Sequence, residues 1–138
     1  MVRVFETNNM LTDMMPYETP LIPIAADYKM VGLAERAKHT YPIERILASS
    51  GYGLFPDSLY ACGALVFVGR RTSEAEYERS NLKKAVQLLK LVCEHEEIRH
   101  IAVQPFGGMQ WPTIQQMLTT GLGPEYSINI YRRKNKWR

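Results

Sequence analysis

The sequence predicts a three-layer α/β/α fold, in which helices cover both faces of a central mixed, largely parallel sheet. Two observations predict this class. Apolar segments of strand length alternate with helical patterns in the order β-β-α-α-β-α-β-α-β, and strands separated by helices pair mainly in parallel. The chain of 138 residues suffices for one domain with a proper core and is too short for two ordinary domains.

Five segments have strand patterns. Segments 2–6 and 126–131 alternate apolar and polar residues, as half-buried strands do. Segments 62–69 (CGALVFVG) and 98–103 (IRHIAV) also predict strands, the first of them strongly buried. Segment 20–26 (PLIPIAA) is continuously apolar, but its two prolines favour an edge strand or an irregular one.

Four segments have helical patterns. Residues 32–38, 41–49 and 112–118 predict three short helices. A longer helix is predicted from Ser73, because Ser73 and Glu76 have the spacing of a capping box. The apolar stripe of this helix consists of Leu82, Ala85, Val86, Leu89, Val92 and Cys93.

The composition excludes several classes of protein. No apolar run approaches the roughly 20 residues that span a bilayer, and the N-terminus lacks the apolar core of a signal peptide, so we expect a cytoplasmic protein without membrane contact. Cys62 and Cys93 are the only cysteines, which favours two reduced, buried thiols. His95 and His100 are five residues apart, whereas the HExxH zinc motif needs a spacing of four. We therefore expect neither a metal nor a bound cofactor.

The charge is unevenly distributed along the chain. Five of the 17 basic residues lie in 132–138 (RRKNKWR), which leaves 12 basic against 14 acidic residues in the rest. We therefore predict a mildly acidic single domain over residues 1–131, followed by a basic tail. Such a tail can contact nucleic acid or remain a solvated end, and we favour the solvated end.

Polar and glycine-rich loops follow several of the predicted strands. Ligands of open α/β sheets bind at the carboxyl ends of the strands, so these loops are the candidate site. Gly107 and Gly108 come just before a helix start, where bare backbone and free N–H groups can hold a phosphate. The alternative for this pair alone is a tight turn. Asp27 opens a similar loop after the second strand, with Lys29 and Gly32.

Two arginines follow the third predicted strand. Arg70 and Arg71 could steady a diphosphate, and the alternative is two ordinary surface arginines. The sequence has no G-x-S-x-G elbow and no evident Ser-His-Asp or Cys-His pair, so generic hydrolase chemistry is not supported.

Taken in order, these loops resemble the macro domain, an ADP-ribose-binding fold, and most closely its branch that includes the terminal ADP-ribose protein glycohydrolase. Segment 7–11 (TNNML) is similar to the family's K-G-D-L-F start, and segment 31–38 (VGLAERAK) to its G-x-G-I-A-x-x-F-K loop and helix. The long helix, with Tyr77 and Asn81-Leu82 near its start, occupies the place of the family's Y-x-N-L helix. Segment 108–111 (GMQW) resembles its G-L-x-W. The likeness extends over nearly the whole chain.

The resemblance implies a binding role for each matched residue. Asn9 would hydrogen-bond the adenine amino group through its acceptor oxygen, and Tyr131 would flank the adenine ring. The other ligand-binding residues would form two walls around the diphosphate and distal ribose: Lys29, Val31, Gly32 and Leu33 on one side, and Phe106, Gly107 and Gly108 on the other.

The resemblance also implies a catalytic lysine, but this sequence has no match for the aspartate that assists that lysine in the family. In the glycohydrolase branch, a lysine at the position of Lys38 attacks the distal ribose carbon, and an aspartate in the late glycine loop assists it. The late loop is shorter here, and no aspartate lies between Ile101 and Trp111. Proton transfer by a positioned group contributes roughly 10²–10⁴-fold to a rate. The resemblance therefore implies binding more firmly than catalysis.

The sequence leaves three hypotheses open. The first is a macro-like domain that binds ADP-ribose or a related adenine nucleotide. The second is an enzyme that removes ADP-ribose from a macromolecule or a phosphorylated metabolite, with Lys38 as nucleophile or Asp27 as a base that activates water. The third is a non-catalytic interaction module whose shortened loop has closed the pocket and whose basic tail contacts nucleic acid or protein.

Overall fold

The computed structural model describes residues 1–27, 29, 30, 32–43 and 56–134. Within these ranges, six strands form one sheet in the order β1-β6-β5-β2-β4-β3. The strands are β1 (Val2–Thr7), β2 (Thr19–Pro23), β3 (Asp57–Ala61), β4 (Ala64–Val68), β5 (His100–Val103) and β6 (Ser127–Arg133). Only the β3–β4 pair is antiparallel. The predicted mixed, largely parallel sheet is confirmed.

The described ranges also contain four α-helices. They are α1 (Met10–Asp13), α2 (Leu33–Ala37), α3 (Arg79–His95) and α4 (Trp111–Leu122), with a 3₁₀ turn (Gly108–Gln110) directly before α4. Of the helix predicted over 41–49, residues 44–49 lie outside the described residues. None of the helices in the described part of the chain has the length and apolar content needed to cross a bilayer.

The core lies on both faces of the sheet, which makes the fold three-layered. On one face, α3 and α4 bury their apolar stripes against residues that include Leu65 and Phe67. On the other face, α1 and α2 pack with Val66 and Val68. Successive residues of β4 thus point into opposite layers, because side chains alternate along a strand. All five residues of β4 are buried, as its continuous apolar run predicts.

The sheet contains a hairpin that the sequence pattern did not reveal. Strands β3 and β4 are joined by Cys62 and Gly63, whose φ angles are 55° and 88°. Positive φ at both central residues is the mark of a type I′ turn, whose twist matches that of paired strands. Cys62 is therefore exposed, and the prediction of a buried thiol at that position is wrong. Cys93 on α3 is buried as predicted.

Helix α3 begins later than predicted. Its first residue is Arg79, so the capping box expected from Ser73 and Glu76 does not form. The segment before the helix turns inward instead, and Tyr77 is only 4% exposed in the core. The predicted apolar stripe is confirmed. Its buried members are Leu82, Ala85, Val86, Leu89 and Cys93, and Val92 is partly buried.

Strand β2 ends earlier than predicted, because its ladder stops at Pro23 rather than at residue 26. The chain nevertheless continues beside β4. The N–H of Ile24 donates to Phe67 O and the N–H of Ala26 donates to Arg70 O, each at 2.9 Å. The loop after β2 is therefore anchored to the loop after β4.

Strand β6 runs to Arg133, so the basic stretch 132–138 begins inside the sheet. Arg132 lies 3.8 Å from the carboxylate of Glu6 on the neighbouring strand. Residues 135–138 lie outside the described part of the chain.

Candidate functional site

The loops predicted to bind a ligand lie along one edge of the sheet. Strands β1, β6, β5, β2 and β4 are neighbours in that order and run in parallel, so their carboxyl ends share this edge, which we call the carboxyl edge. The described residues that follow these strands include Asn9 after β1, 24–27, 29, 30 and 32 after β2, 69–78 after β4 and 104–110 after β5. Ligands of open α/β sheets bind at such an edge.

The loop after β2 is held by its own polar groups and by a contact to the loop after β4. The Asp27 carboxylate accepts a hydrogen bond from the Lys29 N–H at 3.2 Å. The Lys29 ammonium donates to Glu74 at 2.9 Å, and this hydrogen bond raises the pKa of Lys29. Both side chains are exposed, so the ion pair adds little stability, but it connects two loops of the carboxyl edge.

Gly32 marks the point where the β2 loop enters α2. Its backbone has φ 57° and ψ −125°, a conformation that favours glycine. A Cβ atom added there would meet no atom within 4 Å, so this backbone faces open space. The side chain of Leu33 packs in the core, so a ligand would contact its backbone instead. Val31 lies outside the described residues.

Lys38 lies at the opposite end of α2 from Gly32. It is the residue that caps the C-terminus of the helix, and its side chain is exposed. The five residues of α2 lie between them, and six rises of 1.5 Å along the helix separate the two by about 9 Å. On α2 itself, Arg36 donates to the side chain of Gln104 at 3.1 Å, which ties the helix to the loop after β5. The structure thus places Asp27 in the loop between β2 and α2, and Lys38 one helix length from Gly32.

Two consecutive glycines shape the loop after β5. Gly107 and Gly108 have φ angles of 82° and 57°. A Cβ atom on Gly107 would lie 2.4 Å from Ile114 Cδ1, whereas one on Gly108 would meet nothing within 4 Å. A side chain at the first position would therefore have to displace Ile114, whereas one at the second would not. Gly108 presents bare, exposed backbone at the start of the 3₁₀ turn that leads into the 12-residue α4, and free N–H groups and the helix dipole favour an anion at such a helix start.

Phe106 belongs to an aromatic cluster that supports this loop. Its ring centroid lies 5.5 Å from that of Trp111, 5.7 Å from that of Tyr77 and 5.8 Å from that of Phe67. The side chain is partly buried against the core. Phe106 thus connects the sheet, the loop before α3 and the start of α4.

Tyr77 fills the space between two loops of the carboxyl edge. A Cβ atom on Gly69 would lie 2.9 Å from Tyr77 Cε1, and one on Gly107 would lie 3.4 Å from Tyr77 Cε2. Glycine at both positions therefore leaves room for the ring. The backbone of Tyr77 is held by Gln110, whose amide nitrogen donates to Tyr77 O and whose amide oxygen accepts from Tyr77 N–H, each at 2.9 Å.

The β1–β6 side of the carboxyl edge carries the residues that the resemblance assigns to adenine. Asn9 caps α1, and its Oδ1 accepts from the Leu11 N–H at 3.1 Å. An amide oxygen has two lone pairs, so this cap leaves one for a ligand. Tyr131 is 4% exposed, and Phe5, which stacks on it with centroids 5.4 Å apart, is 38% exposed. The more accessible ring on this side is therefore Phe5.

A buried carboxylate holds Tyr131 in place. Glu18 is 5% exposed and accepts hydrogen bonds from the Tyr131 hydroxyl, from Asn129 Nδ2 at 2.9 Å and from the Met15 N–H at 2.8 Å. Burial and the hydrogen bond to Glu18 raise the pKa of Tyr131. The network links the segment after α1 to the middle of β6.

Sequence reasoning missed Gln110, the inward position of Tyr77, and Glu18. Gln110 belongs to no motif, and its partner is 33 residues away. The sequence contains a weak signal for the burial of Glu18. This residue precedes Pro20 by two positions and Ile22 by four, and residues at that spacing along an extended chain share one face, which is buried here. A charged residue in that register predicts a buried partner.

In the described part of the chain, no group of three or more His, Cys, Asp and Glu side chains is placed to hold a metal ion. A groove of about 530 Å³ lies between α3 and α4 and is lined by residues that include Arg79, Lys83 and Thr113. None of the predicted ligand-binding residues lines this groove. The predicted site and the groove are therefore different surfaces.

No family model and no curated protein sequence matches the chain. Its fold, in contrast, matches solved macro domains. The macrodomain of Thermus aquaticus DarG has 18% sequence identity and a TM-score of 0.72, covering 95% of this chain and 97% of that one. The macrodomain of Mycobacterium tuberculosis DarG has 17% identity and a TM-score of 0.76, covering 95% and 97%. The chain therefore has the macro-domain fold.

A third similar structure contains a ligand. Thermosipho africanus DarTG, solved in complex with ADP-ribose, has 18% identity and a TM-score of 0.65, covering 85% of this chain and 38% of that one. Thus the fold expected from the ordered loops is confirmed, although each motif is degenerate and the identities are low.

Proposed function

We propose that this protein binds ADP-ribose or a related adenine nucleotide at the carboxyl edge. The observation that carries the proposal is a pair of bare backbone surfaces on adjacent loops. Gly32 after β2 and Gly108 after β5 both have positive φ and open space where a Cβ atom would lie, and β2 and β5 are neighbours in the sheet. Two such surfaces fit a diphosphate, which needs close approach of backbone N–H groups. The macro-domain fold, and the ADP-ribose bound to the similar DarTG structure, support this ligand.

Isothermal titration calorimetry with ADP-ribose, ADP and adenosine tests the proposal. We expect saturable heat with ADP-ribose and weaker binding of adenosine, which lacks the diphosphate. Lys29→Gln should weaken ADP-ribose binding without lowering the unfolding midpoint, because the Lys29 side chain is exposed. Lys90→Gln, near the far end of α3, is the matched control and should bind like the wild type. The absence of heat with ADP-ribose at high micromolar concentration would overturn the proposal.

A second candidate function is removal of ADP-ribose from a macromolecule or a phosphorylated metabolite. The position of Asp27 favours it, because this exposed carboxylate lies in the loop between β2 and α2 that also carries Lys29 and Gly32. Asp27 would take a proton from water as the water oxygen bonds to the distal ribose carbon, and the leaving group would depart with the electrons of its bond to that carbon. The loop 104–110 contains no acidic residue that could assist. Lys38 is the alternative nucleophile.

Release of ADP-ribose from a labelled macromolecule tests this candidate. Loss of turnover in Asp27→Asn with retained ADP-ribose binding would support a base at Asp27, and loss in Lys38→Met would support a nucleophile there. Glu35→Gln is the control, since Glu35 is an exposed carboxylate of α2. Full turnover in both Asp27→Asn and Lys38→Met would exclude both roles.

The macromolecule could be a nucleic acid held by the basic stretch. A clean truncation must begin at Asn135, because Arg132 and Arg133 belong to β6 and the Lys134 N–H donates to Thr7 O at 3.0 Å. If this stretch contacts phosphates, the truncated protein should show a shallower dependence of nucleic-acid affinity on salt than the full chain. An unchanged slope would exclude the stretch as the contact.

A further inference from the structure

Arg70 and Tyr77 form a stacked pair at the carboxyl edge that leaves two donors unused. The guanidinium carbon of Arg70 lies 4.9 Å from the centroid of the Tyr77 ring. The Nε atom of Arg70 and the hydroxyl oxygen of Tyr77 are both buried, and neither has a hydrogen-bonding partner among the described residues. Buried polar groups without partners are uncommon in folded proteins, and each one calls for an explanation.

A second Arg–Tyr stack in the same chain shows that this geometry does not require unused donors. The guanidinium carbon of Arg99 lies 5.0 Å from the centroid of Tyr126, at the opposite, amino-terminal edge of the sheet. In that pair, Arg99 Nη1 donates to the Tyr126 hydroxyl at 3.3 Å and to Ile98 O at 3.0 Å. At the carboxyl edge, among the described residues, Arg70 Nη1 donates only to the carbonyl of Ala75, at 3.4 Å, and the Tyr77 hydroxyl has no hydrogen-bonding partner.

The position of the Tyr77 hydroxyl is fixed by its surroundings. The ring is confined between Gly69 and Gly107, and its backbone is held by the two hydrogen bonds to Gln110. Burial raises the pKa of Tyr77 to about 12, against a smaller opposing effect of Arg70. The hydroxyl is therefore protonated at neutral pH and available as a donor.

We propose that Arg70 and Tyr77 form an oxyanion-binding subsite that completes the ligand site on its β4 side. Two adjacent donors, one of them on a cation, suit the oxygens of a phosphate or carboxylate. The Ala26 N–H donates to Arg70 O at 2.9 Å, so the pair lies next to the loop that starts at Asp27. The subsite rests on the proposed function, and the oxyanion belongs either to the diphosphate or to an anionic group carried by the distal ribose.

Tyr77→Phe and Arg70→Gln test the subsite by calorimetry with ADP-ribose, with ADP-ribose phosphorylated on its distal ribose, and with adenosine. We expect each variant to bind at least one of the two phosphate-bearing ligands about tenfold more weakly and to bind adenosine like the wild type. The unfolding midpoint of free Tyr77→Phe should be unchanged or higher, because the substitution removes an unsatisfied hydroxyl. Tyr126→Phe is the matched control. It should lower the midpoint and leave ligand affinity unchanged.

The ligands distinguish the two sources of the oxyanion. A loss with both phosphate-bearing ligands assigns the subsite to the diphosphate, and a loss confined to the phosphorylated ligand assigns it to the distal group. Wild-type affinity of both variants for both ligands overturns the subsite. If the wild type binds none of the ligands, the proposed function fails separately. A phosphate-induced rise in unfolding temperature that Tyr77→Phe abolishes would then still support the subsite, and the absence of that rise would overturn it.

Discussion

Gln110 and the backbone of Tyr77 exchange two hydrogen bonds of 2.9 Å, one in each direction. The side-chain amide thus satisfies both backbone groups of a residue that belongs to neither a helix nor a strand, and it joins the loops after β4 and β5. Only a side chain with one donor and one acceptor at this spacing can make both bonds.

Gln110→Glu should therefore be destabilising, because the carboxylate can accept from the Tyr77 N–H but cannot donate to Tyr77 O. We expect a loss of about 1–2 kcal/mol in the free energy of unfolding, measured by urea titration at neutral pH. ADP-ribose affinity should fall as well, since these two hydrogen bonds hold the loop that carries Gly108. Gln116→Glu, an exposed residue of α4, is the matched control. Equal free energies of unfolding for the two variants would show that the hydrogen bonds between Gln110 and Tyr77 do not stabilise the fold.

The two consecutive glycines of the β5 loop should respond differently to substitution. Gly107→Ala combines positive φ with a contact of 2.4 Å to Ile114 Cδ1, so we expect a loss of roughly 2–4 kcal/mol in the free energy of unfolding. Gly108→Ala adds strain from its positive φ alone and should cost about 1 kcal/mol. Thermal or urea unfolding of the two variants gives the comparison.

Ile114→Val provides a direct check of the steric part of this prediction, because it removes the Cδ1 atom. Gly107→Ala should cost less in the Ile114→Val background than in the wild type, and Gly108→Ala should cost the same in both. If the two glycines prove equally tolerant, packing under the loop is not what requires Gly107.

The fold could be predicted from the sequence because buried positions recur with the period of a helix or a strand, and apolar residues occupy them. The apolar stripe of α3 and the continuous run of β4 follow directly from the layers that they face. Strand β3 could not be predicted in the same way, since Cys62 occupies a turn position where Asn or Asp is the usual signal. The capping pattern at Ser73 was misleading because Tyr77, four residues later, is drawn into the core by packing against Gly69 and Gly107.

In the candidate site, the sequence could predict only those residues whose role depends on their own backbone conformation and not on distant partners. A glycine with positive φ is required by its own backbone, so Gly32, Gly107 and Gly108 could be selected from the chain alone. The contacts of Gln110 with Tyr77 span 33 residues, and those of Glu18 with Asn129 and Tyr131 span 111 or more. Local sequence carries no record of such distances, and the fold must be known before these contacts can be identified.

Glu18 should be essential for stability. Glu18→Ala leaves two buried donors, the Tyr131 hydroxyl and Asn129 Nδ2, without their acceptor, and it also removes the part-buried acceptor of the Met15 N–H. We expect a loss of about 3 kcal/mol or more in the free energy of unfolding, because each unsatisfied buried donor costs about 1–3 kcal/mol. Glu18→Gln keeps an acceptor and should lose less. Glu125→Ala, an exposed carboxylate before β6, is the control. Similar midpoints for Glu18→Ala and the control would contradict this network.

Stability should fall at alkaline pH. Burial raises the pKa of Cys93 from 9.0 to about 12 and that of Tyr77 from 10.0 to about 12, and burial also raises that of Tyr131. Because the pKa of each group is higher in the folded state, the group loses its proton at lower pH in the unfolded chain. Its contribution to stability is complete below the pKa of the unfolded state and is lost as the pH rises towards the pKa of the folded state. We expect a decline that begins near pH 9 and steepens above pH 10, by about 1.4 kcal/mol per pH unit for each group.

Urea unfolding at a series of pH values between neutrality and the onset of backbone damage measures this decline. Tyr77→Phe removes one titrating group and should make the slope above pH 10 shallower, and Cys93→Ala should remove the decline that begins near pH 9. An alkaline slope that neither substitution changes would show that other groups control it.

The two cysteines should differ sharply in reactivity. Cys62 is exposed at the turn between β3 and β4, whereas Cys93 is buried on α3 and its raised pKa keeps it a thiol. Because the thiolate is the reactive form, we expect native protein to take up one equivalent of iodoacetamide, at Cys62, and unfolded protein to take up two. Peptide mass spectrometry identifies the modified residue.

Cys62→Asn should abolish labelling of the native protein and, because Asn tolerates positive φ at a type I′ turn, should keep or raise the unfolding midpoint. Rapid native labelling of Cys93 would show that α3 opens readily, contrary to its packing in the core.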